Sequence, residues 1–332
     1  MIRIQAPSRL HFGFLTLGSM EHWPDLEKYP ARQFGGVGLM VRKPGVQLTV
    51  APAPRWSAAG PLAERALAFA RKLAGAMSTS VAQPQALTVE RVPPEHIGLG
   101  TGTQLAMAVG QALAAAWKAD SLGTATLARH LDRGARSSLG LHGFVQGGFL
   151  VECGKRQAGD LAPLVTRLDF PEAWRVLLVL PPWGKGLSGK EEHDAIRRLQ
   201  NRDLPLAATE ALCRIVLLGM LPALAERDWA TFGEALYDFN ARVGEVFSPV
   251  QGGRYAHPQS GELITFLRQL GVRGAGQSSW GPTVFAIARD ETQALDLIPP
   301  ICKHFNLQTA QVVCTQASNA GAKLEILGGQ TS

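Results

Sequence analysis

Residues 93–106 read PPEHIGLGTGTQLA, and three glycines, Gly98, Gly100 and Gly102, alternate there with Leu99, Thr101 and Thr103 before Gln104 leads into an apolar run. Glycine lets a backbone curl with no side chain in the way, and a helix opening just afterwards leaves its first amides unpaired beside the positive end of its dipole. That combination captures phosphate. The hydroxyls of Thr101 and Thr103 add donors for a phosphate oxygen, or help to place a magnesium ion carried by a diphosphate. A plainer reading stands beside this one, a glycine-rich connector in which Thr103 merely caps the helix. The passage lacks the lysine of GxxxxGK[ST] and the spacing of GxGxxG, so it is neither a P-loop nor a dinucleotide fingerprint, and nicotinamide chemistry is disfavoured.

A strand, loop and helix unit has to hold these residues: a strand over 87–92, a turn at Pro93 and Pro94, then a helix over 104–117. Before it, Ile2, Ile4 and Ala6 alternate as a strand does, an irregular polar stretch covers 18–33, and a second alternation covers 46–50. Pro61 opens a helix over 61–73. After it come a helix over 126–135, a second glycine-rich passage, GLHGFVQGG, and a strand over 149–153. An apolar strand over 174–180 ends at Pro181 and Pro182, which suggests one lobe over 1–170 and another over 171–332. In the second lobe Ser188 and Glu191 have capping-box spacing, so GLSGKEEHDAIRRL predicts a loop feeding a helix. Helices over 206–226, 229–246 and 261–270 and strands over 283–288 and 311–315 complete an α+β lobe.

A chain of 332 residues and 35.5 kDa is large enough for two cores, and with 46% hydrophobic and 18% charged residues it should fold compactly. The most apolar segment, 207–225, is interrupted by Glu210, Arg214 and Pro222, so no membrane span is expected. The opening MIRIQAPSRLHFG lacks the apolar core of an export signal, and a cytoplasmic protein is expected. Cys153, Cys213, Cys302 and Cys314 are widely spaced and predict reduced thiols, not a zinc site or disulfide framework. The net charge of +6 favours anionic partners, but basic residues are scattered and aromatics few, which argues against nucleic acid and for small phosphorylated ligands.

Three stretches, PSRLHFGF at 7–14, the PPEHIGLGTGTQLA passage and GAGQSSWGPTVFA at 274–286, resemble in order the three motifs of the GHMP-kinase-like superfamily. The sequence departs from the kinases twice: Gly102 stands where they have a second serine, and LHGFVQGG carries no aspartate where many have SGxD. It is more closely similar to the β-ribofuranosylaminobenzene 5′-phosphate synthase family of that superfamily. The residues that carry this are PSRLHFG, Arg32 followed by GGVGL, HIGLGTGTQLA, ARSSLGLHGFVQGGF, GLSGKEE and SSWGPTVFA, spread over 2–286. The resemblance implies a two-lobed α+β fold with a ribosomal protein S5 domain 2-like N-terminal lobe and a ferredoxin-like C-terminal lobe. It implies a decarboxylating transfer in tetrahydromethanopterin synthesis, in which phosphoribosyl diphosphate joins 4-aminobenzoate or 4-hydroxybenzoate with loss of carbon dioxide and diphosphate, and it suggests a homodimer. An ATP-dependent small-molecule kinase is the alternative.

Such a reaction needs a grip on the departing diphosphate, tolerance of positive charge on the ribose, and a seat for the aromatic acid. Residues 98–103 supply donors for the first, with magnesium assisting and Glu191 or Glu192 as its ligand, unless those glutamates merely occupy a helix's first turn. Arg9 and Arg32, in motif-matching loops, offer bidentate grips on carboxylate or phosphate. His11 and His96 can donate to the leaving diphosphate or orient the loop. Arg136 and Ser137 can reach the sugar phosphate. Gln104, Gln277, Ser278 and Ser279 provide a polar, uncharged lining for the arene, which Trp280 either stacks upon or leaves by being buried between the lobes.

Overall fold

The computed structural model describes residues 1–17, 32–78, 80–119, 121–157, 159–184, 186–187, 189–200 and 206–327. The alternation at Ile2, Ile4 and Ala6 continues through Leu10 and Phe12, so β1 runs over Ile2–Phe14. Its partner β2 (Gly36–Pro52) is likewise far longer than the 46–50 alternation, because its first part, GVGLMV, is buried throughout and carries no alternating signal. Then follow β3 (Ser57–Ala59), α1 (Ala63–Gly75), β4 (Gln85–Arg91), α2 (Thr101–Ala116), α3 (Thr124–His130), α4 (Leu139–Gln146), β5 (Phe149–Glu152) and β6 (Leu164–Leu168). Most of the passage read as glycine-rich is helix α4; Gly143 is there for packing, since a Cβ on it would fall 2.2 Å from Sδ of Met40.

The chain continues through β7 (Arg175–Val179), α5 (Gly189–Gln200), α6 (Leu206–Ile215), a π-helical turn at Val216–Met220, α7 (Leu221–Glu226), α8 (Trp229–Gln251) and α9 (Pro258–Gln269). It ends with β8 (Gly274–Gln277), β9 (Val284–Ala288), α10 (Glu291–Phe305), β10 (Val312–Thr315) and β11 (Lys323–Ile326). Ser188, the expected cap of α5, lies outside the described residues, as does most of the polar stretch 18–33.

Two sheets result. The first has seven strands in the order β11-β1-β2-β4-β3, with β5 on β2 and β6 on β5; the second has the order β10-β7-β9-β8. Residues of β11, placed by sequence in the second lobe, return to the first sheet, where Ile326 faces Ile2. One core packs α1 and α2 under the first sheet, and another packs α9 and α10 on the second. Between them a third core brings Leu10 and Phe12 of β1 against Phe232 and Phe239 of α8 and Phe285 of β9. The site forms at the edge of that junction.

The stretch Ala207–Glu226 is long and apolar enough to cross a bilayer by length and composition, contrary to the expectation drawn from its interrupting polar residues. Here it packs on α8 and buries Leu212, Val216, Met220, Ala223 and Leu224, while Leu217 and Leu218 face outward.

Candidate active site

The three motifs are stitched together by backbone hydrogen bonds and one hydroxyl. Arg9 N donates to Leu99 O (3.0 Å), tying β1 to the glycine turn, and Ser279 N donates to His11 O (2.9 Å), tying β1 to the loop after β8. Ser278 closes the triangle: its Oγ donates to Gly98 O (2.7 Å) and accepts from His11 N (3.1 Å). Gly98, at φ 87°, passes so close that a Cβ would fall 2.4 Å from Ser278 O, so no larger residue fits this crossing. On the far side Asn240 of α8 donates to Phe12 O (2.7 Å) and Gln277 O (2.9 Å), fixing β1 against β8. Ordering three loops this way offsets their conformational entropy before any ligand arrives.

The turn leads into α2 earlier than expected, at Thr101, with Gly100 in the left-handed region as N-cap and no side chain capping the helix. Its first amides and dipole therefore open onto a cleft of about 450 Å³. Arg9, His11, His96, residues 98–103, Arg136, Ser137, Glu192, Ser279 and Trp280 all line that cleft. His96 and Ser279 are non-glycine residues held at positive φ, 60° and 55°, the kind of backbone strain that concentrates at functional sites. Beside the cleft, sharing His11, Phe14, Ser279 and Trp280 with it, lies a smaller aromatic pocket that Phe247 also walls. There Trp280 meets Phe247 at 4.5 Å and His11 meets Phe14 at 4.6 Å between ring centroids.

Several expected ligand residues turn out to be fasteners. Thr101 Oγ1 donates to Pro94 O (2.9 Å) and closes the turn. Thr103 lies within the helix and does not cap it. Gln104 is buried, donates to Gly140 O (2.8 Å) and holds α4 against α2. Gln277 lines only the aromatic pocket; its Oε1 accepts from Ala256 N (2.8 Å) and its Nε2 donates to Ser279 O (3.0 Å). Ser278 is fully enclosed by the clamp just described. Arg32 lies off the cleft lining, where Nη1 donates to Gly154 O (3.1 Å). Trp280 is buried, as the alternative had it, yet keeps an edge on the cleft.

Four arginines, Arg9, Arg65, Arg133 and Arg136, line the cleft against three carboxylates, Glu95, Asp132 and Glu192. Arg9 reaches in from a strand with Nε shut off from solvent and without a partner, and burial pulls its pKa down to about 10 even though Glu192 and Glu152 oppose that fall. Burial, with Arg9 second, pushes the His11 imidazole well below its ordinary value, so the ring is neutral at neutral pH, with one nitrogen to donate and one to accept. Its Nε2 has no partner. Glu152, fully buried beneath this layer, accepts from Ser138 N (2.7 Å), and burial raises its carboxyl to about 7.

Sequence reasoning missed Arg65 of α1 and Arg133, which also line the cleft together with Glu95, because neither lies in a motif. The only signal was the basic density of RHLDRGAR just before the ARSS segment. The cleft carboxylates are already engaged: Glu192 accepts from Arg136 Nη2 (2.7 Å) and Trp280 Nε1 (3.1 Å), Glu95 pairs with Arg65, and Asp132 pairs with Lys72. Glu191 is exposed and off the lining. Among the described residues no three potential ligands gather. A magnesium ion carried by a diphosphate needs only one or two carboxylates; of the two expected glutamates Glu192 lines the cleft, and it is bonded to Arg136 and Trp280, which it orients.

Comparison with known proteins gives the same reading of the fold and finds relatives along most of the chain. Residues 220–307 match the family described as GHMP kinases C terminal. A putative homoserine kinase from Listeria monocytogenes superposes with a TM-score of 0.63 at 16% identity, covering 98% of this chain and 100% of that one, a likeness of fold alone. The β-ribofuranosylphenol 5′-phosphate synthase of Methanothermobacter thermautotrophicus is 29% identical over 314 residues, 87% of this chain and 89% of that protein. The protein of the same name from Archaeoglobus fulgidus is 29% identical over 342 residues, 98% of this chain and all of that protein. The chain thus has the fold of the GHMP kinases, and along nearly its whole length it is similar to the β-ribofuranosylphenol 5′-phosphate synthases, the family its motifs resemble.

Proposed function

We infer that this chain is a decarboxylating phosphoribosyltransferase that condenses phosphoribosyl diphosphate with a 4-substituted benzoate. The observation that carries the reading is the uncapped turn at 98–103 opening, beside Arg9 and Arg136, onto a cleft whose next wall is aromatic. The ring carbon bearing the carboxylate attacks C1 of the ribose. The bond from C1 to the diphosphate oxygen breaks, and diphosphate leaves with the electron pair. The carbon–carboxylate bond then breaks, its electrons restore the aromatic ring, and carbon dioxide departs.

In this scheme the amides of the turn and the Arg9 and Arg136 guanidiniums meet the charge that develops on the leaving group, where fixed donors act most strongly. The ring sits in the cleft against Trp280 and Phe14. A neutral His11 at the boundary adds no positive charge of its own beside the para substituent, which helps to leave that lone pair free to release electrons into the ring. Magnesium belongs to the reading only as an ion carried in on the diphosphate. A phenol product, as the relatives are named, calls for 4-hydroxybenzoate as acceptor, and 4-aminobenzoate is its isostere. Cytoplasmic residence, a homodimer and a place in tetrahydromethanopterin synthesis follow from the family resemblance. The kinase alternative has less support, since each cleft carboxylate is taken by a cation or an indole.

Incubation with phosphoribosyl diphosphate, magnesium and carboxyl-labelled 4-hydroxybenzoate or 4-aminobenzoate should release labelled carbon dioxide and diphosphate together. Retention of the label, with ATP consumed against an alcohol acceptor, would favour a kinase instead.

A further inference from the structure

The substrate just inferred carries two anions, and the glycine turn has a guanidinium site at each end. A Cβ on Gly100 would fall 3.2 Å from Arg9 Nε; one on Gly102 would fall 2.8 Å from Arg65 Nη2 and 3.7 Å from Arg133 Nη1. Two residues apart at the start of a helix, these points are separated by about 5 Å, roughly the width of a sugar ring. We propose that Arg65 and Arg133 form the seat for the 5′-phosphate of the phosphoribosyl substrate, leaving the Arg9 end of the turn to the diphosphate.

The assignment rests on the proposed reaction, because the new bond forms at C1. The arene must reach C1 from the aromatic wall of the cleft, and His11 of that wall follows Arg9 by two residues on β1, so it stands on the Arg9 side. Diphosphate, bonded to C1, belongs at that end. The 5′-phosphate, carried on the opposite side of the ring, then falls to the rim.

The rim pair is built to hold a dianion. Both guanidiniums rest on one side chain, Phe69, at 5.6 Å and 5.1 Å from its ring centroid, which fixes them without using their outer N–H groups. Arg65 is paired with Glu95, but among the described residues Arg133 has no carboxylate partner, and its Nε donates to Leu131 O (3.0 Å). Arg65, Arg133 and Lys72 thus stand against Glu95 and Asp132, an excess of one positive charge at the rim. Crowding is evident in Arg133, whose pKa falls through burial and then through Arg65. The turn after Arg133 is pinned by the buried Lys155, whose Nζ donates to Gly134 O (2.6 Å) and Ala135 O (2.8 Å). Gly102 completes the seat. A serine there, as the kinases have, would push the Arg65 guanidinium aside.

Calorimetric titration with ribose 5-phosphate and, separately, with inorganic diphosphate tests the partition. In Arg133→Ala and Arg65→Ala, ribose 5-phosphate binding should weaken about 10- to 100-fold while diphosphate binding stays within about twofold, which also reports that the variant is folded. Gly102→Ser should weaken ribose 5-phosphate binding in the same direction without removing either arginine. Equal loss of both ligands, or ribose 5-phosphate binding that ignores Arg133 or is absent from the unaltered protein, would overturn the seat. Label release that persists alongside such a result would leave the reaction standing and this inference fallen. Binding through Arg133 with no label release would do the reverse.

Discussion

At the deep end of the glycine turn Arg9 comes from the interior of a strand, held by its own backbone bond to Leu99 and desolvated until its pKa sits near 10. At the rim Arg65 and Arg133 come from a helix and a loop, half exposed and stacked on Phe69. The difference separates two ways of holding an anion site ready. The deep cation is fixed by backbone and depends on Ser278 and Asn240 keeping the loops together; the rim cations are fixed by side-chain packing and can be altered one at a time. Burial without a partner, as at Arg9 Nε and His11 Nε2, costs stability that a surface pair does not, and it is tolerated where a ligand supplies the missing partner.

The sharpest way to break this comparison is to remove the deep cation. Arg9→Ala should lower kcat/KM by about 10²–10³-fold, as loss of one donor to developing charge does, and normal kinetics would take Arg9 out of the site. Next is the carboxyl beneath it. Because burial lifts Glu152 to about 7, above its ordinary 4.5, its contribution to stability is whole below pH 4.5 and is lost as pH rises through 7. Glu152→Gln escapes that loss, so urea unfolding should show the variant gaining on the native protein between pH 4.5 and pH 8, by on the order of 3 kcal/mol at most. A difference flat with pH would mean the carboxyl is not neutral when buried. Ser278→Ala removes the clamp between β1 and the turn, leaving Gly98 O and His11 N without their partner, and should cost about 2 kcal/mol by thermal or urea unfolding. The smallest effect belongs to Arg32→Ala, which should leave kcat/KM within about twofold, because its guanidinium spends itself on Gly154 O away from the cleft.

The same contrast explains what the sequence made legible. Arg9, the glycine turn and Arg136 were readable because motif spacing marks backbone that must curl, and curled backbone is where the deep site is made. Strand and helix periods likewise located β1, α1, α2 and α8, though β2 and α4 were misjudged where burial on all sides erased alternation or where glycines served packing. Motifs did not distinguish ligand from fastener. Ser278 and Gln104 are polar residues in motif-matching runs, but their partners, the carbonyls of Gly98 and Gly140, lie 180 and 36 residues away, and no local spacing encodes those contacts. The rim arginines were invisible for the related reason that α1 and the loop after α3 meet only in the folded protein.

The claim on which the rest depends is that the amides opening α2 hold diphosphate. A crystal structure with diphosphate bound tests it most directly. Diphosphate oxygens should accept hydrogen bonds from amides of the 98–103 turn, with Arg9 Nε gaining the partner it lacks; diphosphate bound elsewhere, with that turn and Arg9 unchanged, would contradict it.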